Sequence, residues 1–206
     1  KKEATRTSID ELNESLSTLE QRVEQNERKI VWYVVGLLVV IGLGLGYYYG
    51  IHRNGIDNAT EMIGQADIAL AQGNDSVALQ QYLQVADEYS NSIANRANLN
   101  AAILLYQQGK YEEAIKSVDN YDVNDELVGA AAASLKGDCL VNLQKYDEAI
   151  SSFDKAISTS NNNALYTPLF MMKKATVLNA QQKYAEAAEI YTAIKEKYPK
   201  YLIAYR

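Results

Sequence analysis

Histidine, cysteine and proline are nearly missing from this 206-residue chain, which has one His (His52), one Cys (Cys139) and two Pro. A lone Cys closes no intrachain disulfide. One His and one Cys also cannot build a Cys/His metal cluster, or a Ser-His-Asp or Cys-His pair, inside a folded domain. With 2 Pro and 11 Gly there is little material for the turns of a sandwich or barrel, which argues against an all-β fold. Positive charge is short as well. Twenty Lys and Arg face 26 Asp and Glu, net -6, so no broad phosphate-binding face and no nucleic-acid partner are expected. No cofactor motif is found, and no cofactor is expected. What is present is apolar: 48% hydrophobic residues against 22% charged, a globular balance. After subtracting an anchor of about two dozen residues, roughly one ordinary domain remains. The sequence opens on Lys1 and closes at Arg206 on a helical pattern, so both natural termini are expected to lie beyond it.

Residues 30–51, IVWYVVGLLVVIGLGLGYYYGI, carry no charge. At about 1.5 Å per residue, a helix of that length crosses a hydrocarbon core. Trp32 and Tyr33 stand at one end and Tyr47, Tyr48 and Tyr49 at the other, where amphipathic rings favour the headgroup region. A cleaved signal would have a shorter apolar core and a small-residue cleavage site, which does not follow Tyr49. Arg22, Arg28 and Lys29 precede the span and Arg53 follows it, so the amino terminus is expected in the cytoplasm and the larger carboxyl-terminal part outside. Gly42, Gly46 and Gly50, four apart, form a candidate face for packing another membrane helix, with Gly36 and Gly44 lying off that stripe.

Residues 1–29 read as a cytoplasmic amphipathic helix. Ile9, Leu12, Leu16, Leu19 and Val23 alternate spacings of three and four, and Ser8 with Glu11 forms a capping-box pattern at its start. The seam suits a protein partner, because the acids Glu11, Glu14, Glu20, Glu24 and Glu27 disfavour anionic lipid.

The remainder, residues 52–206, is a repeat array. QGNDSVALQQYLQVA, QGKYEEAIKSVDNY, LQKYDEAISSFDKAI and QQKYAEAAEIYTAI align on Ala78, Ala114, Ala149 and Ala187, which are 36, 35 and 38 residues apart. These intervals resemble the 34-residue period of a tetratricopeptide repeat, a pair of helices A and B. Units are expected at about 59–92, 95–128, 130–163 and 168–201. Ala66, Ala102, Gly137 and Ala175 take the small position of helix A and the reference alanines that of helix B. Tyr82, Val118, Phe153 and Tyr191, with Tyr111, Tyr146 and Tyr184, fill the space between. Gly73 and Gly109 suit left-handed C-caps; Thr167 reads as an N-cap, Pro168 as a first helical position and Pro199 as a stop. The break at Tyr121–Asp125 should shorten helix B of the second unit. The expected fold is all-α, a single transmembrane helix followed by a right-handed α-solenoid of about four repeats. A further helix near Tyr201 is expected to cover the apolar residues Val177, Leu178, Ile190 and Ile194 of the last unit.

In tetratricopeptide proteins helix A lines the inner face. By register this implies a candidate peptide groove of Ile63, Asp67, Leu70, Arg96, Leu99, Ile103, Tyr106, Ser134, Asp138, Val141, Met172 and Thr176, mixed apolar and weakly acidic. Leu99, Ile103 and Tyr106 would supply its apolar centre, with Arg96 orienting a bound chain. Family members that clamp the acidic tail of a cytosolic chaperone carry Lys and Asn on the first helix A and two basic residues on the third. Here Ile63, Asp67, Ala131 and Leu135 stand at those places and only Asn100 fits, so that clamp is absent. Cys139 reads as a small packed residue and His52 as a headgroup anchor. The acidic pairs Glu112-Glu113, Asp125-Glu126 and Asp147-Glu148 read as complements to helix dipoles.

The short charged tail, the span ending in GLGLGYYYG and the array beginning near Ala59 together resemble the YfgM-type ancillary subunits of the bacterial Sec translocon. The resemblance implies a non-enzymatic inner-membrane protein with its repeats in the periplasm. Its partners would be the Sec translocon channel subunits, a membrane-anchored prolyl isomerase chaperone and emerging polypeptides. The glycine face and the amino-terminal helix would make the channel contact. The alternative is a scaffold for envelope or outer-membrane protein assembly, and an enzyme ranks behind both.

Overall fold

A computed structural model describes residues 8–90, 92–123 and 125–204. Residues 1–7 and the Ser8 and Glu11 side chains of the expected capping box lie outside the described residues, as do Asn124, Arg206 and the His52 side chain. The described residues are helical throughout, with short connections and no strand. The chain divides into two compact units, residues 1–55 and 56–206.

In the first unit one helix, α1 (Ser8–Tyr47), is followed by a π-helical segment, Tyr48–His52. The change from amphipathic to apolar sequence near residue 30 is therefore not a break in the backbone. This helix is long and apolar enough to cross a membrane, and none of its apolar window is covered by protein. Such a surface belongs against lipid, where it costs nothing to leave Leu and Val side chains unpaired. Tyr48 and Tyr49 meet edge to face at 5.2 Å, and the Arg53 guanidinium stands 6.0 Å from the Tyr49 ring. This aromatic and cationic end is of the kind found at a headgroup boundary.

The second unit is a right-handed solenoid of four helix pairs. They are α2 (Arg53–Ala71) with α3 (Asp75–Glu88), α4 (Ser92–Gln107) with α5 (Tyr111–Asp119), α6 (Glu126–Asn142) with α7 (Tyr146–Thr159), and α8 (Tyr166–Ala180) with α9 (Tyr184–Lys197). A last helix, α10 (Pro199–Ala204), follows. Small residues let the pairs approach: Ala66, Ala102 and Ala175 are fully buried, as are Ala78, Ala114 and Ala149. At the third pair the approach is closer still. A Cβ at Gly137 would stand 2.6 Å from the ring of the buried Phe153, so only glycine fits there.

Each pair turns through one hydrogen-bond pattern. After α6, the Lys145 amide donates to Leu140 O and the Gln144 amide to Val141 O, at 2.8 and 2.9 Å, a Schellman motif. Gly73 and Gly109 hold its left-handed residue in the first two turns, with φ of 77° and 76°. In the last two that residue is Gln144 or Gln182, at 60° and 61°.

Helix α5 has 9 residues where α3, α7 and α9 have 14, as the break at Tyr121–Asp125 implies. Two local readings change and one is extended. Thr167 is not an N-cap: the Asn163 carboxylamide oxygen accepts from the amides of Leu165 and Tyr166, while Thr167 is buried with its hydroxyl 2.6 Å from that of Ser160. Pro199 stands just past the end of α9, as a stop, and also opens α10. Finally, the expected further helix is present as α10 and packs on α9, where Ile194 is buried, but Val177 and Leu178 are covered within the array, Val177 against Leu140, Ala149 and Phe153, and Leu178 against Ala187. The large apolar side chains left open on the last pair are instead Tyr166, Tyr184 and Tyr191.

Candidate functional site

The helix A residues fall into rows counted from the small position. Three residues before it lie Ile63, Leu99, Ser134 and Met172, and one residue after it lie Asp67, Ile103, Asp138 and Thr176. The earlier row turns into the seams between helices. Ile63 is buried among Ala59, Ala66 and Tyr82, so its placement in an open groove is corrected: Ala59, Ile63 and Ala66 form the i, i+4, i+7 stripe that α2 buries. Ser134 is likewise buried, and Leu99 and Met172 are half-buried, with Leu99 against Ala102, Val118 and Ala132. The later row is more open, with Asp67 and Asp138 half-buried. Ile103 is 40% exposed, Thr176 is exposed, and Leu70 one turn along its helix is 38% exposed. Tyr106 is half-buried and leans on Tyr111 with ring centroids 5.7 Å apart, and Val141 is half-buried beside Leu140.

Both acids of the open row are paired. Asp67 accepts from the Tyr82 hydroxyl at 2.5 Å and is bridged by the Arg96 guanidinium of the next helix A. Arg96 is therefore engaged within the array rather than free to orient a ligand. Asp138 receives the Lys173 ammonium at 2.5 Å, and the same ammonium donates to Ser134 Oγ at 3.0 Å. The face is thus locally neutral where the sequence alone reads weakly acidic. Burial, then the neighbouring carboxylate of Asp67, pushes the Tyr82 phenol up to about 12. Burial also raises Asp138 above the usual carboxylate range, with Lys173 opposing. Tyr106 is raised by its own burial and by Asp138. Cys139, fully buried, is pushed up to about 11 by burial and then by Asp138, the reverse of what a reactive thiol needs.

A second set of ion pairs links each helix B to the following helix A. Asp119 meets Lys136 at 2.6 Å and Asp154 meets Lys174 at 2.7 Å, both acids lying five residues after the reference alanine. The recurring Asp and the preceding-residue Lys were readable in the aligned repeats, but only their approach across a seam identifies the pair. Between the first and second repeats the residues at these places are Leu83 and Ala101, and no pair can form.

On the membrane helix, a Cβ added at Gly42, Gly46 or Gly50 would meet nothing of this chain within 4 Å, and Gly50 falls in the π-helical segment.

The family described as "Tetratricopeptide repeat-like domain" matches residues 60–179, and that described as "Tetratricopeptide repeat" matches residues 170–201. The chain is 29% identical over 194 residues to a Neisseria gonorrhoeae protein named ancillary SecYEG translocon subunit, covering 88% of this chain and 90% of the relative. Among solved structures it is similar to MamA, with a TM-score of 0.59 at 20% identity over 71% of this chain and 76% of that one. It is also similar to Pseudomonas aeruginosa pilF, with a TM-score of 0.55 at 20% identity over 78% and 74%. These last two likenesses concern the fold. The repeat spacing, the buried alanines, the four helix pairs and the match over more than half of its length agree, and the chain belongs to the tetratricopeptide repeat-like domain family, a class of protein-interaction modules.

Proposed function

We propose that this protein is an inner-membrane accessory subunit of the protein-export channel. Helix α1 crosses the membrane with its amino terminus in the cytoplasm, and the repeat array works on the periplasmic side on polypeptides as they emerge. The observation that carries this reading is the similarity over nearly the whole of both chains to an ancillary SecYEG translocon subunit, anchor as well as repeats. Arg22, Arg28 and Lys29 ahead of the span support the orientation. The role is non-catalytic. Channel subunits meet the anchor through the Gly42, Gly46 and Gly50 face and the helix before it, and a membrane-anchored prolyl isomerase chaperone is a neighbour on the periplasmic side. The open row of helix A residues offers a shallow groove to passing chains, with Ile103 as its most accessible apolar contact, flanked by Leu99, Tyr106, Val141 and Met172 and bounded by the Asp67–Arg96 and Asp138–Lys173 pairs.

Co-purification after mild detergent extraction tests the reading. Sec channel subunits are expected with the full chain, and recovery of envelope-assembly components in their place would overturn it. Protease added to spheroplasts should digest the repeats and spare an amino-terminal tag. Photo-crosslinkers at Ile103 and Tyr106, set against outward-facing Lys116, test the groove: equal labelling at all three removes it.

A further inference from the structure

The second repeat stops short. Helix α5 ends at Asp119, and the chain continues through an irregular stretch pinned by Asn95, whose carboxamide donates to Asp122 O and accepts from Asp122 N at 2.8 and 2.7 Å. Past the end of α5, a half-enclosed slot of about 220 Å³ opens between Gly129, Ala132 and Lys136 of α6 and Ser152 and Lys155 of α7. We propose that this slot receives one helical turn of a partner protein, presenting a large apolar side chain and, a turn away, a carboxylate. The proposal stands on the slot itself and does not depend on which membrane complex the protein serves.

The shape comes from the repeat plan. Full-length helices α3 and α7 lie against α4 and α8 along the following helix A. Where α5 ends early, α6 still offers the small-residue stripe that a helix packs against, and Val123 fills only one corner of it. A Cβ at Gly129 would stand 2.3 Å from Val123 Cγ1, while the rest of the slot stays open. An apolar cavity of about 150 Å³ takes a benzene ring, so this volume suits one large side chain. Val118, Tyr121 and Val123 give the slot an apolar wall. Val123, which lines it, remains 46% exposed, an apolar side chain with open space beside it.

Charge selects the occupant's polar group. Lys136 is matched by Asp119, the acid that lines the slot. Lys155, on the opposite wall, is exposed and has no ion-pair partner among the described residues. One ammonium is therefore left over, and an acidic group on the incoming turn meets it.

The test uses the full chain in lipid nanodiscs. The probes are fluorescein-labelled Ala-rich helical peptides of roughly 15 residues carrying Leu and Glu one turn apart, read by anisotropy. Saturable binding is expected. Replacing the probe's Leu by Ala should weaken it about tenfold or more, and replacing its Glu by Lys about fivefold. Lys155→Glu should reverse that charge preference, and Ser152→Phe should fill the slot and abolish binding with the far-UV circular dichroism unchanged. Absence of saturable binding overturns the proposal. So does binding that the Leu→Ala probe or Lys155→Glu changes by less than about twofold.

Discussion

The first two repeats and the last two follow one plan with different means. In the first half, the turns rest on Gly73 and Gly109, and the space beside the small position is filled by Tyr82 and Val118. In the second half, Gln144 and Gln182 are held in the same left-handed region, and a glycine moves instead into the core, where Gly137 admits Phe153. Ion pairs between a helix B and the next helix A join the second, third and fourth repeats, while no such pair joins the first repeat to the second at the equivalent places, Leu83 and Ala101. The repeat geometry is thus set by the Schellman hydrogen bonds and the alanine contacts common to both halves.

Cys139 lies where the halves meet, on α6 but packed in the core of the first two repeats. With its thiol held at about 11, alkylation at pH 8 should be about a hundredfold slower in the folded chain than for a free thiol. Denaturant should restore the ordinary rate. Equal rates folded and unfolded would mean the two halves separate readily.

The next largest effects are in the core. Ala149→Trp should cost about 3 kcal/mol and Gly137→Ala about 2 kcal/mol in the stability of the full chain in detergent. Phe153→Leu should recover part of the Gly137→Ala loss, because the clash is with that ring. If the double variant is no more stable than Gly137→Ala, the third pair is not packed as described.

The turns offer a reciprocal pair. Gly73→Ala should destabilise by about 1 kcal/mol, and Gln144→Gly should stabilise by somewhat less, about 0.5 kcal/mol, since glycine also loosens the unfolded chain. Equal signs in the two thermal melts would break the equivalence of the turns. Least of all, Lys174→Ala should cost at most about 0.5 kcal/mol, because its partner Asp154 is half exposed. The loss should shrink further in high salt.

The repeat register was legible because it is periodic. Small residues recur where helices cross, and every reference alanine from Ala78 to Ala187 is buried. The short α5 was legible from the Tyr121–Asp125 break. Thr167 was misread because Ser160, which holds it, is seven residues away and reaches it only across a turn. Ile63 was misplaced because helix A carries two adjacent rows, and sequence does not say which one turns inward. Gln144 and Gln182 gave no sign of left-handed backbone, since glutamine has no special preference for it.

From sequence alone came the anchor, the repeat count and the helix pairing, because a charge-free run and a 3.6-residue periodicity are written in neighbouring residues. Only the tertiary structure decided which faces are left open. Arg96 closes on Asp67, Lys173 on Asp138, and the end of α5 exposes a slot against α6 and α7. Exposure and charge pairing depend on which helix comes to lie alongside, and that is a property of the packed array rather than of any segment within it.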